Sequence, residues 1–146
     1  MEPILLDTDI CLDSLAGREP WNTDINRIFH ASVEGFVDLF ISGLTFSNLF
    51  YLLSRTHGSQ KTIQKLSAMR ELVFVSTIDE EIVDVALNSG WSDFEDALQY
   101  YSALDAGCGL LITRNTSDYK KANNITVMDS AAFVSEYLGD GDEVTE

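Results

Sequence analysis

Residues 92–119 read SDFEDALQYYSALDAGCGLLITRNTSDY, and they carry a helix, a turn, a strand and a polar loop in one run. Ser92 and Glu95 match the S-x-x-E capping box that opens a helix. Apolar residues then recur at helical spacing through Ala97, Tyr100, Tyr101 and Leu104. After Gly107, GLLIT (109–113) reads as a short buried strand that runs straight into Thr113, Arg114, Asn115 and Asp118. A helix that delivers the chain to a wholly apolar strand is the repeating unit of a parallel sheet.

The rest of the chain repeats that unit. PILL (3–6), VDLFIS (37–42), VFVST (73–77) and ITVMD (125–129) are short apolar runs that read as strands. Helical patterns separate them. A short one runs through Leu12 and Leu15. A second begins near Pro20, a residue suited to a helix start, and carries Ile25, Ile28, Phe29 and Val33. TFSNLFYLLSRTHG (45–58) ends at Gly58, and QKTIQKLSAMREL (60–72) places Ile63, Leu66 and Met69 on one face. DEEIVDVALNSG (79–90) puts its acids at the positive end of the helix dipole, and SAAFVSEYLG (130–139) closes the pattern. These alternations predict an α/β fold with a parallel sheet of about five strands covered on both faces. In such sheets the binding crevice lies outside the carboxyl ends of the strands.

Composition bounds the function. At 146 residues and 45% hydrophobic content, the chain fits one globular domain with a real core. The domain is expected over residues 1–138, with 139–146 as an acidic flexible tail. No stretch approaches the ~18 apolar residues of a membrane span, and the N-terminus lacks the basic region of a signal peptide. Cys11 and Cys108 are isolated and match no zinc spacing, so a reducing, cytoplasmic setting is the expectation. A net charge of −15 argues against a general nucleic-acid coat protein. The charge is uneven, however. Between Leu39 and Arg70 there is no Asp or Glu, while Arg55, Lys61, Lys65 and Arg70 fall there. That segment reads either as a solvated helix face or as a basic rim beside an acidic site.

The acids raise the chemical question. The first strand ends at Asp7, within ILLDTDICLDSL (4–15), and no basic residue follows closely. Asp7 reads as a helix cap or as a ligand. Asp9 and Asp13 read as solvated, and Asp93 and Glu95 as cap and dipole residues. Asp96 lies one residue past the capping box and borders an apolar face, where a carboxylate needs a partner. Asn48 falls in the first turn after the second strand, and Thr113, Asn115 and Asp118 follow the fourth. Oxygen ligands thus gather at one sheet edge. Two carboxylates 4 Å apart repel by about 4 kcal/mol even at an effective dielectric of 20, and a divalent cation between them removes that repulsion. Oxygen ligands without His or Cys select Mg²⁺ or Mn²⁺, which keeps waters and takes phosphate oxygens as further ligands. That is equipment for attack of water on a phosphodiester.

The segments ILLDTDICLDSL, ISGLTFSNLFYLL (41–53) and DFEDALQYYSALDAGCGLLITRNTSDY (93–119), in that order and spacing, resemble the PIN domain family. The resemblance covers Pro3 to about Tyr137. It implies a three-layer α/β/α sandwich and an Mg²⁺- or Mn²⁺-dependent nuclease, commonly an RNase, as in the toxin halves of VapBC-type pairs. It makes Asp7 and Asp96 metal ligands with Asp118 in support. Two positions that carry acids in the family fall on Asn48 and Asn115. With Thr113, these amides are expected to orient water or phosphate. Arg114, with Arg55, Lys61 and Lys65, is expected to hold flanking phosphates of single-stranded RNA. The resemblance also implies 5′-phosphate and 3′-hydroxyl products, an antitoxin partner and a tendency to dimerise.

Two rival readings stand beside it. DTDIC (7–11) loosely fits the D-x-D motif of haloacid-dehalogenase-type phosphatases, with Asp7 as nucleophile and Asp9 as acid, but Lys120 and Lys121 are poorly placed for that chemistry. The two amides and the negative charge also fit a PIN-like module with weakened metal affinity that binds RNA or a protein.

Overall fold

In a computed structural model, residues 2–139 are described. Residues 140–146, most of the expected acidic tail, lie outside them. Five strands form one parallel sheet: β1 (Glu2–Leu6), β2 (Val37–Ser42), β3 (Phe74–Ser76), β4 (Leu110–Ile112) and β5 (Thr126–Met128), in the order β3-β2-β1-β4-β5. Among the described residues seven α-helices flank it: α1 (Thr8–Leu15), α2 (Trp21–Val33), α3 (Gly43–His57), α4 (Ser59–Arg70), α5 (Glu80–Leu87), α6 (Phe94–Asp105) and α7 (Ser130–Phe133). A π-helical turn over Val134–Leu138 extends α7.

The central strands β1, β2 and β4 are mostly apolar and largely buried, as a doubly covered parallel sheet requires, while the edge strand β3 leaves Phe74 and Val75 exposed. Ile4, Leu6, Leu39, Ile41, Leu110 and Ile112 point to one side, where they meet Ile10, Ile25, Ile28, Leu49 and Phe133 from the helices. Leu5 and Leu111, between them in sequence, point to the other side and pack on Tyr100, Ala103 and Tyr119. Each such side chain contributes about 1.5–3 kcal/mol by leaving water, so the alternation fixes the register. Helices α5 and α6 form the second cover, with Ile82, Ala86, Ala97 and Leu98 between them.

Two local expectations change. In α4 the buried face is Thr62, Leu66 and Met69, while Ile63 is 52% exposed. Thr62 turns inward because its hydroxyl donates to the Gly58 carbonyl at 2.8 Å, which satisfies the polar group within the helix. At α6 the cap is Asp93 rather than Ser92: Asp93 Oδ1 accepts from the Asp96 amide at 3.0 Å. Asp96 is therefore the third residue of the helix, inside its first turn and near the positive end of its dipole.

The topology also fixes where function can sit. From β1 the chain moves outward through β2 and β3, then returns to the opposite side of β1 as β4. The switch point lies between β1 and β4, and the crevice at their carboxyl ends is the default site. Asp7 follows β1 and Thr113 follows β4.

Candidate active site

The core of the site is the Asp7 carboxylate. It is buried, and it caps α1 by accepting from the Thr8 amide at 2.8 Å. The cap reading of Asp7 is thereby met. Its Oδ1 also accepts from Gln99 Nε2 at 3.1 Å. Its Oδ2 accepts from the Thr113 hydroxyl at 2.9 Å and from the Tyr119 hydroxyl at 3.1 Å. Four donors from four parts of the chain thus fill the lone-pair sites of one carboxylate.

Gln99 is held as firmly as it holds. It is 1% exposed, its Oε1 accepts from Ser42 Oγ at 2.6 Å, and its Nε2 reaches Thr45 Oγ1 at 2.8 Å. Ser42 ends β2 and caps α3, so the network ties β2, α3 and α6 to the end of β1. Burial makes each unsatisfied member of such a network expensive, which is why the whole chain of contacts is closed.

Tyr119 brings the second acid in. Its hydroxyl lies 3.1 Å from Asp7 Oδ2 and 3.3 Å from Asp96 Oδ1, so two carboxylates remote in sequence share one phenolic oxygen. Burial, with the Asp7 and Asp96 charges, drives the phenol's proton affinity far above its usual range. Asp96 is raised to about 7, chiefly by burial, then by the neighbouring Asp93 and Asp7 charges. The chain has built a place where one of two carboxylates resists ionisation unless positive charge arrives.

A second layer of acids lies beneath. Asp9, expected in solvent, is instead half-buried. Its Oδ2 accepts from the Arg114 amide at 3.1 Å and from Asn115 Nδ2 at 3.2 Å, and burial followed by the Asp7 charge raises it to about 6. Asp13, also expected in solvent, is wholly buried. Arg114 grips it with two parallel hydrogen bonds, Nε to Oδ2 at 3.0 Å and Nη2 to Oδ1 at 3.1 Å, while its guanidinium lies 4.2 Å from the centre of the Trp21 ring. Arg114, expected at a flanking phosphate, is thereby engaged inside the protein. A buried carboxylate needs such a partner, and the two-pronged fork is the geometry that supplies it.

The remaining expected residues divide. Thr113 is in the core, bonded to Asp7. Asn115 reaches Asp9 rather than Asp7. Asn48 Nδ2 donates to Glu95 Oε2 at 2.8 Å, which places the Glu95 carboxylate of α6 beside position 48. Asp118 is exposed on the 3-10 turn Thr116–Tyr119, and its charge contributes to the raised proton affinity of Asp96. It shares with Asp96, Asp93 and Trp91 a cleft of roughly 490 Å³ that Lys120 and Lys121 also line. Arg55 lies about 15 Å further along the α3 axis than Thr45 and rests on the Tyr51 ring. Lys65 donates to the Leu15 carbonyl at 2.8 Å, at the far end of α1 from Asp7, and Lys61 is exposed on α4. The basic segment of α3 and α4 therefore stands a helix length from the acids. The lysines beside the acids are Lys120 and Lys121.

Among the described residues, no group of three or more His, Cys, Asp and Glu side chains is arranged to hold a metal ion. The donors at Tyr119 are two carboxylates with no nitrogen or sulfur, beside a cleft. That set fits a hard divalent cation such as Mg²⁺, which takes one or two carboxylates and keeps several waters. The four hydrogen bonds on Asp7 are what a cation must compete with.

The fold and these acids define an open parallel α/β protein with an acidic crevice at the switch point. The PIN domain family model matches residues 3–117, and the chain belongs to that family. PIN domains are generally nucleases that depend on a divalent metal. The fold is shared with solved toxin–antitoxin proteins. A toxin–antitoxin complex from Klebsiella pneumoniae matches at 25% identity with a TM-score of 0.63, covering 84% of this chain and 95% of that one. DNA-bound VapBC from Salmonella typhimurium matches at 16% identity and a TM-score of 0.66, covering 89% and 99%. The sarcin–ricin-loop-cleaving toxin VapC20 of Mycobacterium tuberculosis matches at 14% and 0.64, covering 84% and 96%. No curated protein matches the chain. Family membership sets aside the phosphatase reading.

Proposed function

We propose that this chain is a metal-dependent endoribonuclease of PIN type and the toxin of a toxin–antitoxin pair. The observation that carries the reading is the meeting of Asp7 and Asp96 on one oxygen at the carboxyl edge of the sheet. A like-charged pair placed at a switch-point crevice is poised for a cation and costs stability without one. Mg²⁺ or Mn²⁺, when bound, polarises a phosphate oxygen and makes its bound water a better nucleophile.

The residues of the chain then have separate tasks. Asp7 and Asp96 would hold the cation, with Asp118 in support at the rim. Gln99 and Thr113 fix the direction of the Asp7 carboxylate, so it needs no reorganisation during the reaction. Asn115 and the Arg114 amide hold Asp9 close behind. Asn48 and Glu95 form the α3–α6 lip, where water or phosphate would be oriented. Lys120 and Lys121 supply positive charge for the RNA backbone on the same side as Asp96.

The structural relatives include toxins solved with their antitoxins, which supports a small antitoxin partner here. Among the described residues no helix is long and apolar enough to cross a membrane, in keeping with a cytoplasmic site of action.

A second reading, a binding module with weakened metal affinity, is favoured by the four hydrogen bonds on Asp7 and by the amides at positions 48 and 115. One experiment separates the two. Single-stranded RNA is incubated with Mn²⁺ and either the wild type or the double variant Asp7→Asn, Asp96→Asn. The nuclease reading expects cleavage by the wild type only. RNA bound but uncut by the wild type supports the module, and equal cleavage by both proteins ends the nuclease reading.

A further inference from the structure

This inference rests on the nuclease reading and concerns how the site admits a cation. Asp7 accepts four hydrogen bonds, two on each oxygen. Three of the donors are fixed by their surroundings. The Thr8 amide is the backbone of a helix start. Gln99 is pinned by Ser42 and Thr45. Thr113 follows directly on β4, and its hydroxyl oxygen also accepts from the Asn115 amide. Tyr119 differs from all three. It sits at the end of a single 3-10 turn, and of the four donors only its hydroxyl also reaches Asp96.

We infer that Tyr119 is a latch on the metal site: its hydroxyl lies between Asp7 and Asp96 and must release both for a divalent cation to bind. The two carboxylates need something positive between them. Among the described residues the phenol O–H is the hydrogen-bond donor that reaches both acids, and it neutralises part of their repulsion. A cation uses the same lone pairs. Because both cannot use them at once, the hydrogen bonds that steady the metal-free protein lower its affinity for metal. The ring itself is not required for this competition. It is 3% exposed and packs edge-on to Trp91 at 5.8 Å, beneath α6, and phenylalanine preserves that packing while deleting the hydroxyl. Release involves no covalent step; the phenol keeps its proton and exchanges one set of acceptors for another.

The test is a calorimetric Mn²⁺ titration of the wild type, Tyr119→Phe and Asp7→Asn at pH 8. We expect Tyr119→Phe to bind Mn²⁺ at least tenfold more tightly than the wild type, and Asp7→Asn to lose the site. Without metal, Tyr119→Phe should melt at a lower temperature than the wild type, and saturating Mn²⁺ should raise its melting point more. Equal or weaker Mn²⁺ binding by Tyr119→Phe overturns the latch but leaves the metal site standing, since the wild type still binds. If neither protein binds Mn²⁺, the latch and the metal-dependent reading fail together. Should Tyr119→Phe not fold, the wild type decides alone. Saturation with Mg²⁺ must perturb the ultraviolet difference spectrum of a buried tyrosine, and an unchanged spectrum contradicts release of the hydroxyl.

Discussion

The Gln99 amide reaches from α6 to the Asp7 carboxylate at 3.1 Å and sets the direction of the acid that ends β1. The same amide group spans Ser42 and Thr45, so one buried side chain joins the β2–α3 junction to the end of β1. Gln99→Ala removes three contacts and leaves buried partners unsatisfied. We expect a loss of about 2–4 kcal/mol in urea unfolding, with RNA cleavage falling further than the remaining folded fraction accounts for. A stability change without a matching loss of activity would show that Gln99 supports the fold and not the acid.

Arg114 and Asp13 form the buried ion pair behind the site. Arg114→Ala takes both short hydrogen bonds from a wholly buried carboxylate and leaves it only Arg18 at 3.9 Å, and removing one partner of such a pair costs about 3–5 kcal/mol. Replacing both, as Asp13→Leu with Arg114→Met, should recover most of that loss, because the penalty comes from the unpaired charge. Urea melts of the single and double variants measure the difference directly. Equal destabilisation by the two would place the value of the pair in its packing on Trp21.

The raised proton affinity of Asp96 makes a signed prediction about pH. The group titrates near 3.8 when unfolded and at about 7 when folded, chiefly because of burial. Between those values the folded state binds the extra proton, so its contribution to stability is complete below pH 4 and is lost as pH rises through 7. Asp96→Asn mimics the protonated acid at every pH. It should therefore raise the melting temperature by a few degrees at pH 8 and leave it unchanged at pH 4. Thermal melts at the two values provide the comparison, and a variant less stable than the wild type at pH 8 would contradict it.

The fold was legible because its signal is local. Apolar runs such as LLI at β4 and ILL at β1 cannot be solvent-facing strands, and the helices between them leave only a parallel sheet. Asp7 and Asp96 were legible for a similar reason, since each sits where a carboxylate costs free energy. Asp13 was not, because the arginine that grips it, Arg114, lies in a loop far along the chain, while Arg18, close in sequence, reaches it only at 3.9 Å. Tyr119 and Gln99 were hidden by type. A tyrosine or a glutamine among helix and loop residues is ordinary, and only the closure of the sheet shows that both aim at one carboxylate. The pairing of Asn48 with Glu95 was not legible, because it crosses from α3 to α6, a contact that no spacing along the chain displays.

The placement of the lysines separates two ideas about RNA contact. Lys120 lines the cleft with Asp96 and Asp118, while Lys61 stands on α4, away from the acids. Lys120→Glu should weaken binding of single-stranded RNA by about tenfold at low salt and reduce the salt dependence of the affinity. Lys61→Glu, with the same charge change, should leave both nearly unaltered. Fluorescence anisotropy titrations at two salt concentrations give both quantities, and equal effects would mean that net charge governs binding.

The central claim is that Asp7 and Asp96 share one divalent cation. Anomalous diffraction from crystals of the wild type soaked in Mn²⁺ tests it most directly. The account predicts a manganese peak within coordination distance of both carboxylates, with the Tyr119 hydroxyl displaced from between them. A Mn²⁺-saturated crystal with the peak elsewhere, or with Tyr119 still bridging the two acids, would contradict it.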